Sequence, residues 1–381
     1  MNRIAVVAAL ATGLLGFIVA PAHSNEADTA RLLAGMPPSA GSPLEALTKS
    51  RHWQQHAQAM DKAFGSVERN TLSKVRTWSR DNVKSPRETL LYMFGGPDFL
   101  FANAVYPDAT TYLLVGLEPA GDIPDLMKMQ KRGEVPGLGN LQNAMRTLLS
   151  VSFFITKEMQ ETLGGSNLRG TIPILYVFLA RSGMEVRSAT LIAIDDEGEV
   201  RPEDRTAKTA KTAKTPFKTS ARGVKITFAG LDGRERTLYY LTTDLSNGGL
   251  KRGGFLKFAG KLGEADAFHK SASYLMHSDN FSQIRSFVLS QARTVVQDDS
   301  GVPLRYFDEK LWDLHPFGAY HEPLELFPEG RQTKLARKVF ARDKTQKIDF
   351  GLGYRWRPGE SNLLMAVKRP QSVQLPAAGQ H

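Results

Sequence analysis

Three residues, Asp98, Glu118 and His277, are the best-placed candidates for acid–base chemistry in this sequence. Asp98 follows the apolar run TLLYMF and a Gly-Gly-Pro turn, and Glu118 closes the apolar run TTYLLVGL. His277 follows SASYLM and precedes a segment with helix-capping residues. Two carboxylates and an imidazole that meet at one place can transfer protons or hold a polar ligand. We therefore take these three residues as candidate catalytic residues.

Two predicted strands with a short helix between them would bring the two acids together. The runs 89–94 and 110–117 are typical of buried strands, and the proline-bounded segment between them suits a helix of about two to three turns. Strand, helix and strand form a βαβ unit, in which the two strands are parallel. Ligands of open α/β sheets bind beyond the carboxyl ends of such strands. His277 reaches the same edge if the strand predicted before it is also parallel.

Ordinary preferences of turns and helix starts also explain why Asp98 and Glu118 stand where they do, and this interpretation needs no functional site. Gly96 can cap a helix, Pro97 suits the first helical position, and Asp98 in the first turn complements the helix dipole. Glu118 precedes a Pro-Ala-Gly turn. The sequence alone leaves both interpretations open.

The stretch QDDSG places Asp298 and Asp299 beside Ser300 and also invites a catalytic interpretation. Asp-Ser-Gly is, however, preferred chemistry for a hairpin loop, in which Gly301 supplies a positive φ. We therefore predict that TVVQDDSGVPLRYF forms a β-hairpin and carries no site.

Recognised catalytic signatures are absent. The sequence has no Gly-x-Ser-x-Gly and no Gly-x-Gly-x-x-Gly opening a helix, and Leu262 stands where a phosphate-binding loop needs Ser or Thr. The segment HWQQH lacks the glutamate of a zinc-protease helix. WDLHPFGAYHE has metal-ligand residue types without a recognised spacing, and Pro316 and Gly318 favour a loop there. We predict no metal and no cofactor.

The N-terminal segment MNRIAVVAALATGLLGFIVAPAHSNEA is typical of a secretion signal. Ala22 and Ser24 fit the −3 and −1 positions of a cleavage site, and Ala20 and Ala22 are an alternative pair. An uncleaved anchor is the competing interpretation, although 4–19 is shorter than the roughly 20 residues of a membrane span. We predict cleavage near residues 22–24 and a periplasmic or secreted mature protein.

The chain contains no cysteine. Disulfides, thiolate metal sites, a cysteine nucleophile and a lipid-modified cysteine are therefore excluded. We expect the mature protein to be soluble, without a transmembrane segment, and held together by its apolar core.

Positive charge is concentrated in one segment. The formal net charge is +10, and residues 201–222 hold seven Lys and Arg residues around the repeat TAKTAKTAKT. Such a segment cannot offset its ordering entropy by burial, so we predict a disordered basic insertion. It could adhere to an anionic envelope polymer or be merely a solvated insertion. Nucleic acid is not expected as a partner, since no aromatic residues interleave the lysines.

We predict an α/β fold, with α+β as the alternative. The predicted domains are a signal peptide (1–24), a flexible leader and helical segment (25–84), a main domain (85–369) with the basic insertion at 201–222, and a disordered tail (370–381). The helical segment is predicted to begin at an N-cap on Ser42. Within the main domain we expect a mixed sheet with a βαβ unit, flanking helices and C-terminal hairpins. Predicted strands or hairpins lie at 171–183, 186–200, 224–245, 294–307 and 347–368.

Three segments, GGPDFLFANAVYPDATTYLLVGLEPAG, QDDSGVPLRYF and IDFGLGYRW, together resemble a family of uncharacterised exported bacterial proteins. The resemblance covers about residues 85–356. It implies export and a single folded unit. The family has no assigned activity, cofactor or catalytic residues, so the resemblance transfers no site.

Two functions fit these observations. One is an exported protein that binds a small polar ligand or an envelope component at the carboxyl edge of the parallel strands. The other is an acid/base hydrolase of envelope glycan or a related polymer, with Asp98 and Glu118 as its carboxylate pair. The separation of the two carboxyl groups would discriminate between them.

Overall fold

The computed structural model of the protein describes residues 26–151, 167–203, 221–323, 331–341, 345–357 and 359–370. The predicted signal peptide, residues 204–220 of the basic insertion and residues 371–381 of the tail lie outside the described residues, so those interpretations stay predictions. The ends of the insertion are predicted to be disordered, but residues 201–202 and 222 belong to strands. Within the described part of the chain, no helix combines the length and the apolar character that crossing a membrane requires.

The described residues form helices on both sides of one mixed sheet. The helices are α1 Glu26–Leu33, α2 Arg51–Val67, α3 Ser73–Asn82, α4 Phe99–Val105, α5 Leu126–Met129, α6 Leu138–Val151, α7 Ile172–Arg181, α8 Asn247–Leu250, α9 Phe255–Lys261, α10 Ser282–Gln291 and α11 Arg331–Ala341. Short 3₁₀ helices lie at Glu45–Lys49, Ser271–His277, Asp279–Phe281 and Leu304–Tyr306, and a π-helical turn lies at Glu68–Leu72. The strands are β1 Thr89–Tyr92, β2 Thr111–Gly116, β3 Glu185–Ile194, β4 Val200–Pro202, β5 Arg222–Ala229, β6 Glu235–Thr242, β7 Ala265–His269, β8 Ala292–Gln297, β9 Trp312–Gly318 and β10 Asn362–Lys368.

The strands lie in the order β4-β3-β5-β6-β2-β1-β7-β8-β10-β9. The five central strands, β6, β2, β1, β7 and β8, are parallel to one another. Antiparallel strands extend the sheet on both flanks. The α/β fold class, the mixed sheet and the β1-α4-β2 unit are therefore confirmed.

Alternating side chains of the central strands face two separate apolar layers. On β1, Leu90 and Tyr92 join the layer that contains α1 to α4, α6 and α7. Leu91 joins the opposite layer, which contains α8 to α11. A strand whose two faces are both covered by helices is apolar throughout, which explains the unbroken run TLLYMF.

The predicted strand at 171–183 is wrong, because this segment forms helix α7. Residues 172–180 are all buried, so the sequence shows no alternation that separates a strand from a helix. Pro173 sits at the start of the helix, a position where its missing N–H breaks no helical hydrogen bond. The proline was the available signal for a helix.

The predicted flexible leader is also incorrect for residues 26–33, which form α1. Leu32 and Leu33 are fully buried, and α1 packs against α7 and β3. The helical character predicted for residues 42–84 is confirmed. The N-cap of α2 is, however, Ser50, whose side chain accepts a hydrogen bond from the Trp53 amide, rather than Ser42.

Both predicted C-terminal hairpins are wrong, whereas the hairpin at 224–245 is confirmed as β5 and β6. β8 pairs in parallel with β7 and antiparallel with β10, so QDDSG follows a parallel strand instead of turning a hairpin. Residues 348–356 contain only an isolated bridge between Leu352 and Arg355.

The predicted loop at 312–322 contains β9, an edge strand, where a proline such as Pro316 is tolerated.

Candidate functional site

The five parallel strands end at one edge of the sheet, and the chain changes direction there. Chain order is β1, β2, β6, β7, β8, whereas the order in the sheet is β6-β2-β1-β7-β8. The chain therefore builds outward from β1 to one side and then returns to build on the other side, with the reversal between β1 and β7. A crevice forms at such a reversal because the neighbouring connections leave the sheet on opposite faces.

Asp98 reaches this edge but is fully engaged with other protein groups. It is the N-cap of α4, and its Oδ1 accepts a hydrogen bond from the Phe101 amide at 3.3 Å. Its Oδ2 accepts from the Tyr92 hydroxyl at 2.9 Å and lies 2.9 Å from the Lys270 ammonium. The side chains of Asp98 and Lys270 are each only 2% exposed. Burial raises the pKa of Asp98, although Lys270 opposes that effect.

Glu118 lies beyond the end of β2 and is also buried. Its Oε2 accepts from the Leu117 amide at 3.2 Å. Its backbone oxygen accepts from the Tyr240 and Thr242 hydroxyls, each at 2.7 Å. These contacts tie the residue after β2 to the last residues of β6 and fix where the carboxylate lies.

His277 ends the 3₁₀ helix after β7, so the strand predicted directly before it is wrong. β7 ends eight residues earlier, at His269. The Nε2 of His277 lies 3.0 Å from the backbone oxygen of Gly301. Burial lowers the pKa of His277 to about 4, which leaves the imidazole neutral at pH 7.

One pocket opens at this edge, and of the three predicted residues only Glu118 lines it. Its cavity has a volume of about 180 Å³. The lining comes from the last two residues of β2 and from residues after β1, β2, β6 and β7: Phe94, Gly96, Val115, Gly116, Leu117, Glu118, Thr243, Asp244, Leu245, Ala272, Leu275 and Phe281. Asp98 and His277 are not among them. We call this cavity the edge pocket.

The edge pocket combines an apolar wall with two carboxylates. Phe94 and Phe281 pack edge to face with their ring centres 5.7 Å apart, and Leu245 and Leu275 extend the wall. Glu118 and Asp244 supply acid groups, and no Lys, Arg or His is among the lining residues. Such a pocket suits a ligand with an apolar or aromatic body and hydroxyl or amine donors.

Asp298 and Asp299, predicted to belong to a hairpin turn, lie instead in a second buried polar cluster near the edge pocket. The Oδ2 of Asp298 accepts from the Ser271 amide at 3.3 Å, and its Oδ1 accepts from the Ser300 amide at 2.9 Å. Asp299 forms a salt bridge of 3.1 Å with Arg355. Burial, followed by repulsion from Asp299, raises the pKa of Asp298 to about 7.

Two neighbours close this second cluster. Ser271 has a left-handed φ of 54°, and its buried hydroxyl has no hydrogen-bond partner among the described residues. Gly353 covers the cluster so closely that a Cβ there would lie 2.2 Å from Asp298 Oδ2. The cluster is therefore sealed in this structure. The signal for it was an acid directly after an apolar run, the same signal that identified Asp98.

No metal site is evident. Within the described ranges, no group of three or more His, Asp or Glu residues is arranged to hold a metal ion. Asp313, one residue of the predicted loop with metal-ligand types, instead pairs with Arg369 at 2.7 Å.

Comparisons of the chain with protein-family models, with curated proteins and with solved structures found no match. The resemblance to an exported bacterial family therefore stays a prediction.

Proposed function

We propose that this protein is an exported binding protein that holds a small polar ligand in the edge pocket. The observation that carries the proposal is a cavity placed where the strand order of a parallel sheet reverses, lined by Glu118 and an apolar wall. The N-terminal segment 1–24 supports placing this ligand in the periplasm or outside the cell.

The hydrolase hypothesis has less support. It needs Asp98 and Glu118 to face one substrate, yet both oxygens of Asp98 already accept contacts from Phe101, Tyr92 and Lys270. Asp98 is 2% exposed and does not line the edge pocket. A carboxylate with these contacts suits a structural role better than proton transfer to a polymer.

Filling the edge pocket tests the proposal. Leu275→Trp places a larger ring against the cavity, and Leu231→Trp is the matched control because Leu231 is 99% exposed. Thermal-shift and calorimetric titrations with adenosine, phenylalanine, indole and glucose would measure binding to both variants and to the unaltered protein. We expect at least one probe to bind the unaltered protein and the control, and to bind Leu275→Trp at least tenfold more weakly. Equal binding of every probe to both variants would refute the edge pocket as the site.

A further inference from the structure

Glu118, one of the two acids of the edge pocket, lies at a defined distance in sequence from the glycine turn that follows β1. β1 is followed by Gly95 and Gly96, then α4 and β2, and Glu118 comes about 20 residues after Gly96. In dinucleotide-binding sheets of this strand order, an acid about 20 residues after a Gly-x-Gly-x-x-Gly turn accepts hydrogen bonds from a ribose. This chain lacks that turn and has only the acid. In this protein Glu118 also lines a cavity, so a ribose at that position would have room to bind.

We propose that the edge pocket binds a nucleoside without phosphate groups, with its ribose diol on Glu118 and its base against Phe94 and Phe281. This inference rests on the proposed function and names the ligand class of the same site. A carboxylate suits a diol because its two oxygens can accept from two adjacent hydroxyls, and it has no proton to donate.

The apolar wall of the edge pocket suits a nucleobase. Phe94 and Phe281 present aromatic surface, and aromatic side chains are the common stacking partners of bases. Thr243 and Asp244, which follow β6, lie on the same pocket and can hydrogen-bond the polar edge of the base. The ribose contact thus comes from the end of β2, and the base contacts come from residues that follow β1, β6 and β7.

Three observations argue against phosphate. The pocket lining has two carboxylates and no Lys, Arg or His. The start of α4, where a pyrophosphate would meet backbone N–H groups, is instead capped by the Asp98 carboxylate. The cavity of about 180 Å³ is small for a dinucleotide. The charge of the pocket therefore favours a neutral or positively charged nucleoside.

Calorimetric titration of the full mature chain with adenosine and 2′-deoxyadenosine tests the ribose contact. We expect adenosine to bind at least tenfold more tightly, because the deoxy analogue leaves part of a buried carboxylate without its donor. Glu118→Gln should reduce this ratio below threefold. Glu88→Gln is the matched control: its side chain is 79% exposed and outside the pocket lining, so the variant should leave the ratio in place.

A charge series tests the exclusion of phosphate. Adenosine 5′-monophosphate and NAD⁺ should bind at least tenfold more weakly than adenosine, and 5′-amino-5′-deoxyadenosine, which adds a positive charge without added bulk, should bind at least as tightly. The ligand-side comparisons need no variant, so they decide the matter even if Glu118→Gln fails to fold.

The outcomes separate this inference from the proposed function. Equal affinities for adenosine and 2′-deoxyadenosine, or tighter binding of the monophosphate, would overturn the nucleoside assignment. If no nucleoside binds but indole or phenylalanine binds the unaltered protein and not Leu275→Trp, the inference fails and the proposed function stands. If no probe distinguishes the unaltered protein from Leu275→Trp, both fail.

Discussion

Asp98 and Glu118 follow neighbouring parallel strands, yet their surroundings give them different roles. Asp98 turns back to cap α4 and to meet Lys270, which follows β7, so it joins the ends of β1 and β7. Glu118 lines the edge pocket. Lys270 also lies 4.3 Å from the centre of the Phe101 ring, which provides a further favourable contact for its charge.

Removing either partner of the buried pair should destabilise the protein strongly. We expect Lys270→Met or Asp98→Asn each to lower the free energy of unfolding by about 3–5 kcal/mol, because the remaining partner loses its counter-charge or hydrogen bonds inside the protein. The double variant should lose clearly less free energy of unfolding than the two single variants lose in sum. Urea denaturation measures all three.

An exposed pair provides the control for this comparison. Lys128 and Asp125 lie 2.8 Å apart, but Lys128 is 85% exposed. Lys128→Met should leave the denaturation midpoint unchanged within error. Strictly additive losses for Asp98 and Lys270 would show that the two residues do not act as a pair.

Among the elements, α1 shows how tertiary contacts convert a short segment into structure. Its eight residues are too few to form a stable isolated helix. Burial of one face against α7 and β3 supplies the missing stability. Its Glu26 also accepts a hydrogen bond from Tyr176 of α7. The start of the described chain is thus part of the core, not a leader to it.

Leu33→Ala should therefore destabilise the whole protein. Leu33 is 0% exposed, and truncation of a fully buried leucine costs about 2–5 kcal/mol. Leu231→Ala, at a 99% exposed position, should have no measurable effect. Thermal and urea denaturation check both variants. A Leu33→Ala protein as stable as the unaltered one would mean that residues 26–33 do not dock as α1.

Across the whole molecule, buried titratable groups oppose one another in their effect on stability with pH. The pKa of Asp298 is about 7 in the folded chain and about 3.9 when unfolded. Between these values only the folded state holds the proton, so this contribution is present at low pH and is lost as pH rises towards 7. His277, with its pKa lowered to about 4, acts in the reverse direction: its contribution is lost as pH falls from about 6.5 to 4.

The variant Asp298→Asn removes the contribution of Asp298 to the pH dependence of stability. Relative to the unaltered protein, the variant should gain about 2–3 kcal/mol of stability between pH 5 and pH 7.5, since an amide cannot become charged. Urea denaturation at several pH values measures that change. Comparing the pH values removes any loss of stability that the substitution causes at every pH. Asp313→Asn is the control. Arg369 lowers the pKa of Asp313, so the stability of this variant relative to the unaltered protein should not change over this pH range. A flat difference for Asp298→Asn as well would contradict the raised pKa.

The sequence by itself determined the features that depend on local composition. The unbroken apolar runs around Asp98 and Glu118, with a short helix between them, were enough to predict a parallel βαβ unit with both acids at one edge. The hairpin at 224–245 followed from its alternation and its Asp-Gly turn. Absence of cysteine and of nucleotide-loop signatures also followed directly from the residues.

Only the tertiary structure decided which strands pair and where each side chain lies. Helix α7 and the central strands β1 and β2 are almost entirely buried, so periodicity cannot separate that helix from such strands. QDDSG turns no hairpin because β8 pairs in parallel with β7 and has its antiparallel partner in β10, about 65 residues later. Lys270 reaches Asp98 across more than 170 residues and engages it in the core, so of the two predicted acids only Glu118 lines the pocket. Contacts between residues so far apart in the chain leave no local pattern, and they determine where a ligand can bind.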